Sequence, residues 1–164
     1  MPKLERPFIQ QFYPDDSAHC YGCGRLNAHG LHLESAREGD DIVARFAPRA
    51  HQMSMPGFVY GGLIASLIDC HAMATAAAHA ERLAGREIGD AELPRYVTAA
   101  LKVDYLAPTP LGPEIVLRAR VSETGRRKIV VAVTVTVAGR DTARGEVVAV
   151  PIPAAMEAAG TRPR

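Results

Sequence analysis

One carboxylate stands in the most apolar part of this sequence. Asp69 closes the run GFVYGGLIASLID, residues 57–69, and is the only formally charged residue between Arg49 and Glu81. Burying an unpaired carboxylate costs several kcal/mol (roughly) or forces it to take up a proton. In either protonation state such a group suits a general base or a nucleophile, while a structural carboxylate capping nearby backbone stays open as the alternative. Eight residues earlier, Gly61-Gly62 offers backbone N–H groups with no side chain in the way. At a helix start these donors lack intrahelical partners, and the helix dipole adds positive potential, so they suit an oxyanion or a polarised thioester oxygen. A glycine pair that only permits close packing remains the plainer alternative.

These residues need a helix to position them. Loop chemistry at Ser54-Met55-Pro56-Gly57 predicts a helix from Tyr60–Gly62 to about Leu83, stopped by Gly85. At 100° per residue, Leu63, Ile64, Leu67, Ile68 and His71 form one stripe. Asp69 lies nearly opposite, among Gly62, Ala65, Ser66, Ala72, Met73 and Ala76, and its neighbours Gly62 and Ser66 become candidates for substrate contact. Because that face lacks Lys and Glu, the helix is expected to be buried all round. Asp69 sits about 12 Å along the axis from Gly61 at ~1.5 Å per residue, beyond the first turn where the dipole acts.

Around this helix the periodicity is that of strands. Two short strands are expected near Leu31–Glu34 and from Ile42 to Phe46, hinged at Gly39-Asp40. A charged connector, GREIGDAELPR, spans residues 85–95. Four Val/Ile/Thr-rich runs at 97–106, 114–122, 128–137 and 142–150 then predict an antiparallel meander. Residues 1–18 read as an irregular leader, 19–150 as one α+β domain and 151–164 as a loosely held tail. A sheet can wrap only one side of such a helix, so a second subunit is the natural cover for the other.

Composition narrows the class. The 164 residues suit one domain, and 48% hydrophobic content can fill its core. A formal charge of +1 gives no global footprint for nucleic acid or an anionic membrane. The N-terminal residues lack the apolar run of a signal peptide, and Asp69 with four Gly/Pro residues interrupts the longest uncharged stretch, so neither secretion nor a membrane span is expected. Three cysteines make no disulfide framework, which fits a cytoplasmic protein.

Three motifs carry a family resemblance. PGFVYGGLIASLID (56–69) resembles the signature of hotdog-fold acyl-CoA thioesterases of the 4-hydroxybenzoyl-CoA and phenylacetate-pathway type, in which His-Gly-Gly opens the central helix and an acidic residue follows eight positions after the first Gly. VTAALKVDYLAPTPLG (97–112) is similar to the strand after that helix, and CYGCGRLNAHGL (20–31) to a leader in one branch. The resemblance implies a hotdog fold, an antiparallel sheet of five to six strands around one long helix, in a homodimer or a dimer of dimers with active sites at the subunit interface. It implies that the Gly61 N–H binds the thioester carbonyl and that Asp69 activates water or attacks the carbonyl carbon. Thr98 would reach the site from the partner subunit and orient the water or Asp69. Tyr60 stands where the family has His; a phenol can donate a hydrogen bond but titrates near ~10, against ~6.5 for imidazole. The expected activity is hydrolysis of an acyl-CoA to free acid and CoA, with coenzyme A entering as part of the substrate and no other cofactor. A non-hydrolytic acyl-CoA or acyl-carrier binding protein is the alternative.

Three further groups have residue types that could do chemistry. Arg126-Arg127-Lys128, at a hairpin, could pair with coenzyme A phosphates or be a solvated turn. Cys20-x-x-Cys23 with His29-x-x-His32 has the residue types of a zinc site, but its spacing is shorter than a finger's, and no metal is expected. Cys70 and His71 read as core residues.

Overall fold

The computed structural model describes residues 7–160. Strands β1 (Ser35–Glu38), β2 (Asp41–Phe46), β3 (Tyr96–Tyr105), β4 (Ile115–Thr124), β5 (Ile129–Val137) and β6 (Arg140–Pro151) form one antiparallel sheet around helix α1 (Gly61–Leu83), and a short helix α2 (Ala154–Gly160) follows. This is the hotdog arrangement. In β5 the core positions Ile129, Val131, Val133, Val135 and Val137 alternate with Val130, Ala132, Thr134 and Thr136, as a strand with one face on a helix requires. Those side chains meet Leu63, Ile64, Leu67 and Ile68 of α1 in the main core. Gly145 of β6 lets the helix come close, because a Cβ there would collide with the Ile68 side chain.

Helix α1 is long and apolar enough to cross a bilayer by length and composition, yet 67% of its most apolar window is buried within the protein. It ends where Gly85 takes a φ of +70°, a left-handed conformation that glycine adopts without steric cost.

The helix, the hinge at residues 39–40 and the extents of β2 to β6 match expectation to within a few residues. Four features differ. First, the sheet order is β1-β2-β4-β5-β6-β3: β3 pairs with β6, while β4 pairs with β2, so only β4-β5-β6 is a meander. Second, β1 begins at Ser35, because His32 turns the chain with a φ of +55°. Third, residues 154–160 of the expected loose tail are helical. Fourth, the chain itself covers the C-terminal half of α1, where Ile9, Tyr13 and the connector's Leu93 pack on Ala74, Ala77 and Ala78. What stays partly open is the face carrying Gly62, Ala65, Ser66, Asp69 and Met73.

His71 is a core residue, as expected. It is fully buried, with Nε2 3.0 Å from the Ile42 carbonyl and Nδ1 2.9 Å from Ser35 Oγ. Gln10 in turn donates to Ser35 Oγ at 3.1 Å. Neutral imidazole satisfies this chain, donating from Nε2 and accepting at Nδ1, and burial pushes the His71 pKa down to about 4.

Candidate active site

Asp69 is half-buried on α1, and the Thr98 hydroxyl of β3 donates to its Oδ1. Burial raises the carboxyl pKa, the Thr98 hydrogen bond opposes that rise, and the nearby Cys20 adds to it. A β-bulge in β3 sits just beyond this contact: Thr98 pairs with Ala149 and Ala100 with Val148, leaving Ala99 unpaired. Bulges of this kind re-aim a neighbouring side chain. The Thr98 contact is made within one chain. Strand β3 runs beside β6 and passes over α1 of its own protomer.

At the start of the helix, intrahelical bonding begins with Leu63 N–H donating to Tyr60 O at 3.0 Å. The Gly61 and Gly62 N–H groups precede that bond and form the donor pair of the helix start. Tyr105, at the end of β3, donates to the Gly61 carbonyl at 2.7 Å. Its phenol pKa is raised, chiefly by burial and then by the neighbouring Tyr60 phenol. Tyr60 is 57% exposed, its ring lies over Gly62, and its hydroxyl makes no hydrogen bond among the described residues. Two grooves flank this helix start. One, of about 460 Å³, runs from Gly61 along Phe58, Ile64 and Tyr105 to Pro108; the other, of about 270 Å³, lies beside Tyr60, Gly62 and Ser66.

The candidates thus fall into separate groups within one protomer. Gly61, Gly62 and Tyr60 share the helix start with Ser66, whose hydroxyl is committed to the Gly62 carbonyl at 2.9 Å. Asp69 and Thr98 form a second group two turns on, about 12 Å along the axis at ~1.5 Å per residue. Arg126, Arg127 and Lys128 follow Thr124, which meets His79 near the far end of α1 at 2.9 Å, and Lys128 pairs with Glu123 at 3.0 Å. One chain does not bring this basic turn to Asp69. Tyr105 is a further residue at this helix start, and its signal in the sequence is an aromatic closing a strand just before the Pro-rich turn APTPLGP.

The Cys-x-x-Cys and His-x-x-His pairs do not converge. His29 and His32 are exposed, and His32 Nε2 lies 2.6 Å from the Asn27 carbonyl. The third member beside Cys20 and Cys23 is Cys70.

Comparison with known proteins agrees with this architecture. The family described as 4HBT, Thioesterase superfamily, matches residues 56–144. A thioesterase superfamily protein from Shewanella loihica has 45% sequence identity and a TM-score of 0.62, the match covering 77% of this chain and 96% of that one. A Streptococcus mutans protein solved bound to acetyl CoA has 20% identity and a TM-score of 0.57 over 73% of this chain and 88% of its own, a likeness of fold. The rat acyl-coenzyme A thioesterase THEM4 is 33% identical over 94 residues, 57% of this chain and 35% of the relative, so the chain spans about a third of that protein's length. The match over residues 56–144 takes in α1 with Gly61 and Asp69, and β3 with Thr98, and by it this chain belongs to the thioesterase superfamily.

Proposed function

We propose that this protein hydrolyses acyl-CoA thioesters to free acid and CoA, at sites shared by two protomers. The observation that carries this reading is the Asp69–Thr98 pair, a half-buried carboxylate steadied by a hydroxyl in a chain of this family. Asp69 takes a proton from water that attacks the carbonyl carbon, or attacks it directly to form an anhydride that water then opens. Either route builds negative charge on the carbonyl oxygen, which the Gly61 N–H and the helix dipole stabilise. The tetrahedral intermediate collapses by breaking the C–S bond, and CoA leaves as the thiol.

A donor and a base must both come within about 3 Å of the reacting carbonyl. Gly61 and Asp69 of one protomer are too far apart for that, so Gly61 of one copy is assigned to act with Asp69 of another. The exposed edge strand β3 and the half-open Asp69 face of α1 are the surfaces available for pairing. A dimer of dimers would extend the same logic. Arg126, Arg127 and Lys128 are assigned to the coenzyme A phosphates, reached across the assembly. Coenzyme A is then a substrate component, no further cofactor enters, and a cytoplasmic location suits the substrate.

A thiol-release assay across short, long and aromatic acyl-CoAs tests the reading on the parent protein and on Asp69→Asn. We expect Asp69→Asn to lose roughly 10²–10⁴-fold in kcat. Release at the parental rate would end the assignment. The exposed Tyr60 favours one second reading, a binding protein without turnover. Its signature is acyl-CoA binding with no CoA release from the whole panel, unrescued by Tyr60→His.

A further inference from the structure

The three cysteines, which the thioesterase chemistry leaves unused, converge from two distant parts of the chain. Cys20 and Cys23 lie on the tight turn before β1, and Cys70 lies on α1. Their Sγ atoms all fall within 4.8 Å of one another, with Cys20 and Cys70 3.6 Å apart. All three are free thiols. Zn–S bonds of about 2.3 Å in a tetrahedron place sulfurs roughly 3.8 Å apart, so this spacing needs little adjustment.

The turn is built to present those sulfurs. Cys20 Sγ lies against the sulfurs of both Cys23 and Cys70, the latter 3.6 Å away. Gly24 N–H closes the turn on the Cys20 carbonyl at 2.7 Å. Neither glycine tolerates a side chain: a Cβ on Gly22 would collide with Cys70 Sγ, and one on Gly24 with the backbone of Ala18 and Cys20. The turn is thus shaped to lie directly on the Cys70 sulfur.

We propose that Cys20, Cys23 and Cys70 form a three-thiolate site for zinc, with water in the fourth position. Each thiol loses its proton to solvent as its Zn–S bond forms, and no electrons are exchanged. Three thiolates and Zn²⁺ carry a net charge of −1, which faces Arg95, a cation that acts on Cys23 and stacks on the Tyr13 ring at 5.3 Å. Cys20 is exposed, which gives the ion a path of entry. The site would clamp the N-terminal segment onto the central helix. It does not depend on the proposed hydrolysis, and its test reads metal and thiols, not turnover.

The experiment titrates Co²⁺, then Zn²⁺, into the reduced full-length protein under argon, beside Cys23→Ser, Cys70→Ser and a His29→Ala/His32→Ala variant. We expect one Co²⁺ per chain with sulfur-to-cobalt charge-transfer bands, displaced by Zn²⁺. Zinc should slow modification of the thiols roughly tenfold by an aromatic disulfide reagent. The serine variants should lose the bands, and the double histidine variant should keep them. Absence of the bands in the parent protein overturns the proposal without relying on any variant's folding. So does their loss in the double histidine variant, which would restore the spacing-based ligand set, or recovery of an intramolecular disulfide that persists in the presence of zinc.

Discussion

At the scale of single residues, the proposed chemistry rests on a half-buried carboxylate. Asp69 is desolvated on a helix with no other formally charged residue before Glu81, and the Thr98 hydroxyl steadies its ionised form. Replacing Thr98 by Val keeps the shape and removes the donor. A hydrogen bond to a charged group is worth about 1.5–3 kcal/mol, so kcat should fall roughly 10- to 100-fold, a smaller loss than for Asp69→Asn. Single-turnover kinetics on both variants would check this order. Asp69 and Gly61 were legible in the sequence because an isolated charge and a glycine pair are visible in one dimension. The phenol of Tyr105 was not, because its contact with Gly61 bridges 44 positions.

At the scale of elements, two contacts fix where α1 sits. Gly145 of β6 lets Ile68 press against the sheet, so Gly145→Ala overpacks that contact. It should destabilise the fold by roughly 1–3 kcal/mol, read from urea unfolding midpoints. At the C-terminal end of α1, the buried Glu81 carboxylate accepts from Arg86 Nε at 2.9 Å and from Nη2 at 2.6 Å. That pairing lowers the Glu81 pKa below its ordinary 4.5. A carboxylate with a depressed folded-state pKa contributes stability that is present above its unfolded pKa and lost as the pH falls through the folded one. Arg86→Ala should therefore lower the unfolding midpoint at pH 7, with the deficit shrinking as the pH falls below 4.5. Helix extents and strand runs were readable because periods of 3.6 and 2 are local signals. The β1 register was not, since it turns on the left-handed conformation of His32.

At the scale of the whole molecule, the proposed chemistry needs two copies. Edge strand β3 leaves Thr98, Ala99, Ala100 and Leu101 exposed in one protomer. Leu101→Lys places a charge on that edge and should shift sedimentation toward the monomer, with activity lost in parallel. Monomers that retained full turnover would remove the need for a shared site.

The sequence by itself determined a long apolar helix opened by Gly61-Gly62, one carboxylate two turns along it, and the runs that become strands. Each of these is encoded by neighbours within a few residues, through backbone sterics and the periodicity of burial. Only the tertiary structure decided that β3 lies beside β6, that Thr98 meets Asp69 of its own chain, and that Cys70 joins Cys20 and Cys23. Those contacts join positions 29 to 50 residues apart or reorder whole strands, and nothing local specifies them. They follow from how six strands share one helix as a core, a competition among packings that is settled only when the chain closes on itself.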